Sequence, residues 1–239
     1  MAGAPGGPPP APGSVSVLVV GAGGHGKEVA LYLRQLRACG WPGEVAGFVD
    51  DHRPPGPFAG HAVLGPLDAL PELLGELRGR RPDTAFAYIT AVGDNRLRAR
   101  LVARIEGLGL PDLTPFTLRH PDARLGDDSS AGEGTLLAPD AIVTSGARIG
   151  PHSILNVKAS VSHDSVVGAF VNLNPGATVC GGVTLGEGCS VGAGATVIQK
   201  VSVGAWTVVG AGAVVVRDLP PHVTAVGVPA RIIKHHPQP

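Results

Sequence analysis

Residues 177–216 read ATVCGGVTLGEGCSVGAGATVIQKVSVGAWTVVGAGAVVV, with Val or Leu at every sixth position: Val179, Leu185, Val191, Val197, Val203, Val209 and Val215. The register runs back through Leu173, Val167, Val161, Leu155, Ile149, Val143, Leu137 and Ala131 to Leu125, sixteen consecutive aliphatic positions with no insertion. The residue after each is often Gly, as at Gly168, Gly186, Gly192 and Gly204. The residue two before is nearly always small, as at Ala141, Ser153, Ala159, Ser165, Ala177 and Ala195. A period of six sustained this long is a hexapeptide repeat, the pattern of a parallel β-helix. Each hexapeptide gives a short strand and a turn, and three close a triangular coil of eighteen residues. The large aliphatic side chain points into the lumen and the small residue shares that interior near a corner. Gly serves turns that need positive φ or close backbone approach. Coils stack at the inter-strand spacing of about 4.8 Å, and residues 121–239 hold about five of them.

The eighteen-residue period places residues over one another. His163 lies two places after Val161, in a turn rather than in the lumen, and Gly181 falls in the same turn one coil on. Ser145 and Gln199 continue that column, and Asp164 stands beside the imidazole. A base one coil from a backbone N–H, about 5 Å along the stack, is half of an acyl-transfer site. A lone turn histidine would ordinarily be a solvated side chain; the Gly181 amide beside it tips the reading toward chemistry.

The first half of the chain follows another pattern. Apolar strand-like runs (Val15–Val20, Val45–Val49, Thr84–Thr90, and a short one at Ala62–Leu64) alternate with helix-like stretches at Lys27–Ala38, Leu67–Leu77 and Asp94–Leu108. Alternation of this kind predicts a parallel sheet with covered faces, here a small Rossmann-like α/β domain over residues 15–120. Between its first strand and first helix stand Gly21, Gly23 and Gly26 in G-x-G-x-x-G spacing, with Asp50 further on where a ribose-binding acid is expected. An NAD-dependent oxidoreductase is one reading. Against it, the sheet is short for a dinucleotide and no catalytic domain remains once the β-helix is assigned. A strand, a glycine turn and a helix N-terminus make an anion cradle whatever molecule carries the anion.

Nineteen basic and nineteen acidic residues cancel, so neither nucleic acid nor an anionic membrane is an expected partner. No apolar run reaches the roughly 20 residues of a spanning helix. Residues 1–14 are Ala/Gly/Pro-rich and read as a disordered leader, not a secretory signal. The three cysteines, Cys39, Cys180 and Cys189, form no C-x-x-C pair and suit a reduced, cytoplasmic protein. His52, His61, His120 and His222 read as surface or loop residues, and His235 and His236 as part of a Pro-rich tail without a role.

NVKASVSHD (156–164), FVNLNPGATVCGGVTLG (170–186) and GVPAR (227–231), with GAGGHGK (21–27) and FVDD (48–51), together resemble the bacterial nucleotide-sugar acetyltransferases. More narrowly they are similar to enzymes that N-acetylate UDP-, GDP- or dTDP-linked 4-amino-4,6-dideoxy sugars, of the N-acetylbacillosamine and N-acetylperosamine type. The sialic acid O-acetyltransferases share the architecture. The resemblance implies a left-handed β-helix, a homotrimer with active sites between subunits, acetyl-CoA as co-substrate and no metal. It carries the catalytic base onto His163, its acidic neighbour onto Asp164 and the carbonyl-binding amide onto Gly181. Contacts to acetyl-CoA fall on Asn172, Gly181, Ala193 and Ala211. Contacts to the nucleotide sugar fall on Gly23, Gly24, His25, Asp50, Asp51, Gly65 and Asn156. One departure stands out: Asn172 occupies a position where the family usually has His, and an amide cannot titrate. His163 is then the one candidate base.

Several alternatives weaken on the same residues. Only His152 and His163 lie inside the repeat, too few for the three zinc ligands of a γ-class carbonic anhydrase. Cys189 sits at an inward position and Cys180 has no adjacent base, so neither is a good nucleophile. A non-catalytic scaffold would leave the His163/Gly181 stack without purpose.

Overall fold

VSVLVV is apolar at nearly every position, the mark of a parallel strand covered on both faces. In the computed structural model, which describes residues 15–237, this run is strand β1 (Val15–Val20), buried from Ser16 onward. The expected leader at 1–14 lies outside the described residues. Residues 15–116 and 117–237 form separate compact units.

In the first unit β1 is central, flanked in parallel by β2 (Glu44–Val49) and β5 (Ala85–Thr90). β3 (Gly56–Phe58) and β4 (His61–Gly65) form a hairpin beyond β2, and β6 (Leu113–Pro115) closes the other edge, giving the order β3-β4-β2-β1-β5-β6. The chain winds from β1 to one side, then returns to β5 on the other, so a crevice opens at the carboxyl end of β1. Helix α1 (Gly24–Ala38) buries Val29, Ala30 and Leu33. It starts three residues earlier than the apolar spacing predicts, because extended Gly23 serves as its N-cap and the glycines enter the first turn. The predicted Leu67–Leu77 helix opens as a short 3-10 turn, Leu67–Ala69, and becomes α2 (Leu70–Arg80), with Pro71 tolerated in its first turn. Asp94 caps α3 (Asn95–Gly107) by accepting from the Leu97 N–H at 2.7 Å.

The second unit is a left-handed parallel β-helix of two-residue strands in three parallel sheets. Each strand residue pairs with its counterpart eighteen places on, as in Ile142 with Ser160, Ser160 with Thr178 and Thr178 with Thr196. Of the sixteen repeat positions, the fourteen from Leu137 to Val215 are at most 3% exposed, while Leu125 and Ala131 are only partly buried. The column is therefore sealed along its length and open at its first coil. Ring side chains sit outside it: Phe170 and Trp206 occupy corners at φ 56°. After Val215 the regular coil gives way to Val223–Val226 and an antiparallel partner, Arg231–His235. His235, read as part of a Pro-rich tail, ends that strand, and the His236 N–H donates to the His222 carbonyl at 2.7 Å.

Leu173 is fully buried in the lumen. Leu173→Ala should cost about 2–5 kcal/mol through lost burial and a residual cavity. Thr184→Ala, on an exposed outward position, should stay within about 0.5 kcal/mol. Urea-denaturation midpoints of the two variants check the contrast.

Candidate active site

Three corners repeat up the β-helix. One holds Ser145–Gly146, His163–Asp164, Gly181–Gly182 and Gln199–Lys200, linked by amides that donate coil to coil: Asp164 to Ser145, Gly182 to His163 and Lys200 to Gly181, at 2.8–3.0 Å. The second residue of each pair has positive φ (65°, 59°, 66° and 62°), which turns the first residue's side chain along the edge. The His163 ring packs against Gly181: a Cβ built on that glycine would stand 2.5 Å from Nε2 and 2.6 Å from Cε1 of the ring. Only Gly leaves room for it. Nδ1 of His163 and Oδ2 of Asp164 are 2.9 Å apart, and a donating Nδ1–H leaves Nε2 as the free lone pair. The Gly181 N–H donates to no group among the described residues.

Ser165, one step from the pair and fully buried, received no role from sequence beyond a small lumen residue. Its hydroxyl donates to the Cys180 carbonyl (2.9 Å) and accepts from the Val183 N–H (3.2 Å), bracketing the Gly181–Gly182 turn from inside. Ser153 makes the same two bonds twelve residues earlier, at another corner, to Gly168 and Val171. The small-residue column therefore also ties corners together. Cys189 donates its thiol to the Gly204 carbonyl at 2.9 Å, and burial pushes that thiol up to about 11, which removes it as a nucleophile.

The structure distributes the expected acetyl-CoA contacts unevenly. Ala193 and Ala211 are exposed and stack at a second corner, where Pro175–Gly176, Ala193–Gly194 and Ala211–Gly212 repeat and Asn156 leads in. One flat face, with Ser160, Thr178 and Thr196 outward, joins this corner to that of His163. Asn172 is elsewhere: it is buried on the strand Asn172–Leu173, in the sheet opposite the His163 corner.

In the first unit Gly21, at φ 113°, turns the chain out of β1, and a side chain at Gly26 would run into the Gly21 carbonyl. These two glycines bring helix and strand together. Gly23 and Gly24 have open space where side chains would be and are exposed. His25 follows in the first turn, with Nδ1 3.0 Å from Glu28 Oε2. Asp50 accepts the N–H groups of Ala22 (2.6 Å), His52 and Arg53 (both 2.9 Å). Burial works to raise its pKa, but these three donors outweigh it and hold the carboxyl below the usual range. Asp51 also overcomes burial, through Arg104 at 2.5 Å and the Leu67 N–H at 2.9 Å. Gly65 ends β4 and accepts the Asp50 N–H at 3.0 Å. Both carboxylates thus brace the crevice, whatever else their remaining lone pairs contact.

One residue differs from its sequence reading, and one had none. His120 is buried rather than at the surface, and its Nδ1 accepts from the Asp122 N–H at 3.1 Å. Arg98, unassigned from sequence, is fully buried; it donates to the Val92 carbonyl (2.8 Å) and to Asn95 (2.9 Å). It thereby holds the loop after β5, whose Ala91 and Val92 lie against Gly21. The charge pattern of α3 offers no hint that one arginine of several turns inward.

A crevice-forming α/β unit followed by this β-helix is an architecture shared with solved hexapeptide-repeat acetyltransferases. Residues 16–105 match the PglD N-terminal domain, and residues 164–199 match the bacterial transferase hexapeptide (six repeats). A perosamine N-acetyltransferase from Caulobacter crescentus, solved as a histidine-to-asparagine variant with CoA and GDP-perosamine, is 37% identical at TM-score 0.80, over 92% of this chain and 97% of that one. The acetyltransferase domain of PglB from Neisseria gonorrhoeae FA1090, in complex with acetyl coenzyme A, is 34% identical at TM-score 0.77, over 91% and 98%. A UDP-N-acetylbacillosamine N-acetyltransferase from Bacillus subtilis (strain 168) is 40% identical over 122 residues, 51% of this chain and 50% of the relative. The chain thus spans about half the length of that curated relative. It belongs to the family of nucleotide-sugar N-acetyltransferases with a hexapeptide-repeat β-helix.

A depressed aspartate stabilises fully above its unfolded pKa, and that stabilisation is lost as pH falls through the folded value. Asp50→Asn should therefore lose less stability than the wild type between neutral pH and about pH 3, read as the difference in thermal midpoints.

Proposed function

We propose that the protein transfers acetyl from acetyl-CoA to the 4-amino group of a nucleotide-linked 4-amino-4,6-dideoxy sugar. The observation that carries this is the His163 ring lying on Gly181 with Nδ1 held by Asp164. Nε2 accepts a proton from the amine as it attacks the thioester carbon. The Gly181 N–H donates to the oxygen that becomes negative, a contact worth about 3 kcal/mol in the transition state. The C–N bond forms, the C–S bond breaks, and CoA leaves as the thiol after taking a proton. Asp164 keeps the ring in register and offsets the charge the imidazole gains. No covalent enzyme intermediate is needed.

Acetyl-CoA lies along the face between the His163 and Ala193/Ala211 corners, where outward residues are small and the Ala193 and Ala211 methyls leave an open edge. Gly23, Gly24 and His25 take the diphosphate of the nucleotide, with Asp50, Asp51 and Gly65 shaping the wall toward ribose and base, and Asn156 approaching the sugar. The working form is a homotrimer with its sites between subunits. His163 and Asp164 side chains are 67% and 76% exposed, too open for a reaction that must exclude water. Asn172 lies on the side of the coil opposite His163, so a site using both draws on two copies. Free thiols at Cys39, Cys180 and Cys189 and the acetyl-CoA donor suit a cytoplasmic enzyme.

CoA release should be seen with at least one of the UDP-, GDP- or dTDP-4-amino-4,6-dideoxy sugars; turnover with sialic acid alone would move the reading to O-acetylation. His163→Ala should abolish turnover without changing the sedimentation coefficient, and near-normal activity would remove His163 as the base. Gly181→Ala keeps the N–H but displaces the ring, and kcat/KM should fall by about 10²-fold or more, with a thermal midpoint close to wild type.

A further inference from the structure

Around the glycine loop most charges are already matched. Asp50 is taken up by backbone amides, Asp51 by Arg104, and Glu28 faces His25. Two cations remain. Lys27, one turn into α1, places Nζ 5.5 Å from the centroid of the Phe58 ring. Arg53, just past the end of β2, places its guanidinium carbon 4.4 Å from the same centroid. Neither makes an ion pair among the described residues. Phe58 is itself fixed, standing edge-on to the fully buried Phe48 at 4.9 Å and 83°. Arg53 is also tied to the loop, because its Nε donates to the Ala22 carbonyl at 3.1 Å.

The ring attracts both cations but discharges neither, and two like charges drawn to one platform repel. An anion that contacts both cations offsets that repulsion. The platform is bolted to the loop carrying Gly23 and Gly24, the two glycines with open space above them. Backbone amides at a helix start favour an anion, yet supply no full positive charge against a group with two negative ones. We infer that Lys27 and Arg53, preset on Phe58, are the side chains that neutralise the nucleotide diphosphate and so select a diphosphate-linked sugar over a free one. This rests on the nucleotide-sugar reading above and adds the residues that make the diphosphate, rather than the base or sugar, the main source of affinity. The acetyl donor carries a diphosphate too, so the two sources must be told apart.

The test uses Lys27→Met and Arg53→Met, which keep the side-chain stems and remove the charge, with Phe58→Leu as a variant that loses only the ring face. Calorimetric titration with UDP, GDP and dTDP, and with the matching nucleosides, identifies the diphosphate the wild type binds. Each Met variant should weaken that diphosphate by about tenfold or more, leave the nucleoside unchanged, and flatten the salt dependence. In turnover, KM for the nucleotide sugar should rise while KM for acetyl-CoA stays put. Unchanged diphosphate affinity in both Met variants would overturn the assignment and leave the nucleotide-sugar reading standing. A raised KM for acetyl-CoA alone would give the cations to the donor and overturn it as well. A wild type that binds none of the three diphosphates would sink both.

Discussion

The backbone ladder between coils is the constraint on which the rest depends. Each residue of the β-helix donates to or accepts from the residue about one coil away, so position in sequence translates directly into height and corner. The lumen is filled by one aliphatic side chain per hexapeptide, and this leaves the corners free to carry other residues. A corner is then a column of interchangeable sites at a spacing of about 5 Å. Placing imidazole at one level and Gly at the next sets a ring over an amide without any loop having to find its conformation. The rigidity normally sought by building sites on strands and helices here comes from the pitch itself.

The α/β unit solves a different problem by similar economy. Gly21 and Gly26 are spent on backbone packing, while Gly23 and Gly24 stay open, so one short motif both closes the fold and clears a surface. The carboxylates at the end of β2 freeze that surface: Asp50 gathers three amides from both sides of the crevice, and Asp51 reaches through Arg104 to Asp68. Arg98 does the same from the opposite wall with a buried guanidinium, whose pKa burial lowers to about 10.

The β-helix was legible down to single residues because an uninterrupted period carries no accumulated error; the pairing of His163 with Gly181 needed only addition. The strands and helices of the first unit were legible in kind and order, with ends shifted where caps intervene, as at Gly23. What could not be read were contacts set by tertiary docking and not related by a period. Arg98 to Val92, Asp51 to Arg104 and the two cations on Phe58 depend on how helices dock against a sheet. Ser165 was hidden for another reason: a small residue satisfies the lumen whether or not its hydroxyl does anything. Asn172 shows a third case, where its likeness to a functional position gave no clue that it stands across the coil from the base.

The open start and regular pitch of the coil column also make the β-helix a modular object. Loss of one hexapeptide between residues 163 and 181 would preserve the inward or outward direction of every side chain, and the lumen would remain full. It would nonetheless rotate everything downstream by a third of a revolution, carrying Gly181 to a different edge from His163. Foldability is indifferent to multiples of six, whereas the site survives only multiples of eighteen. Length variation in this unit is therefore filtered by chemistry before it is filtered by stability.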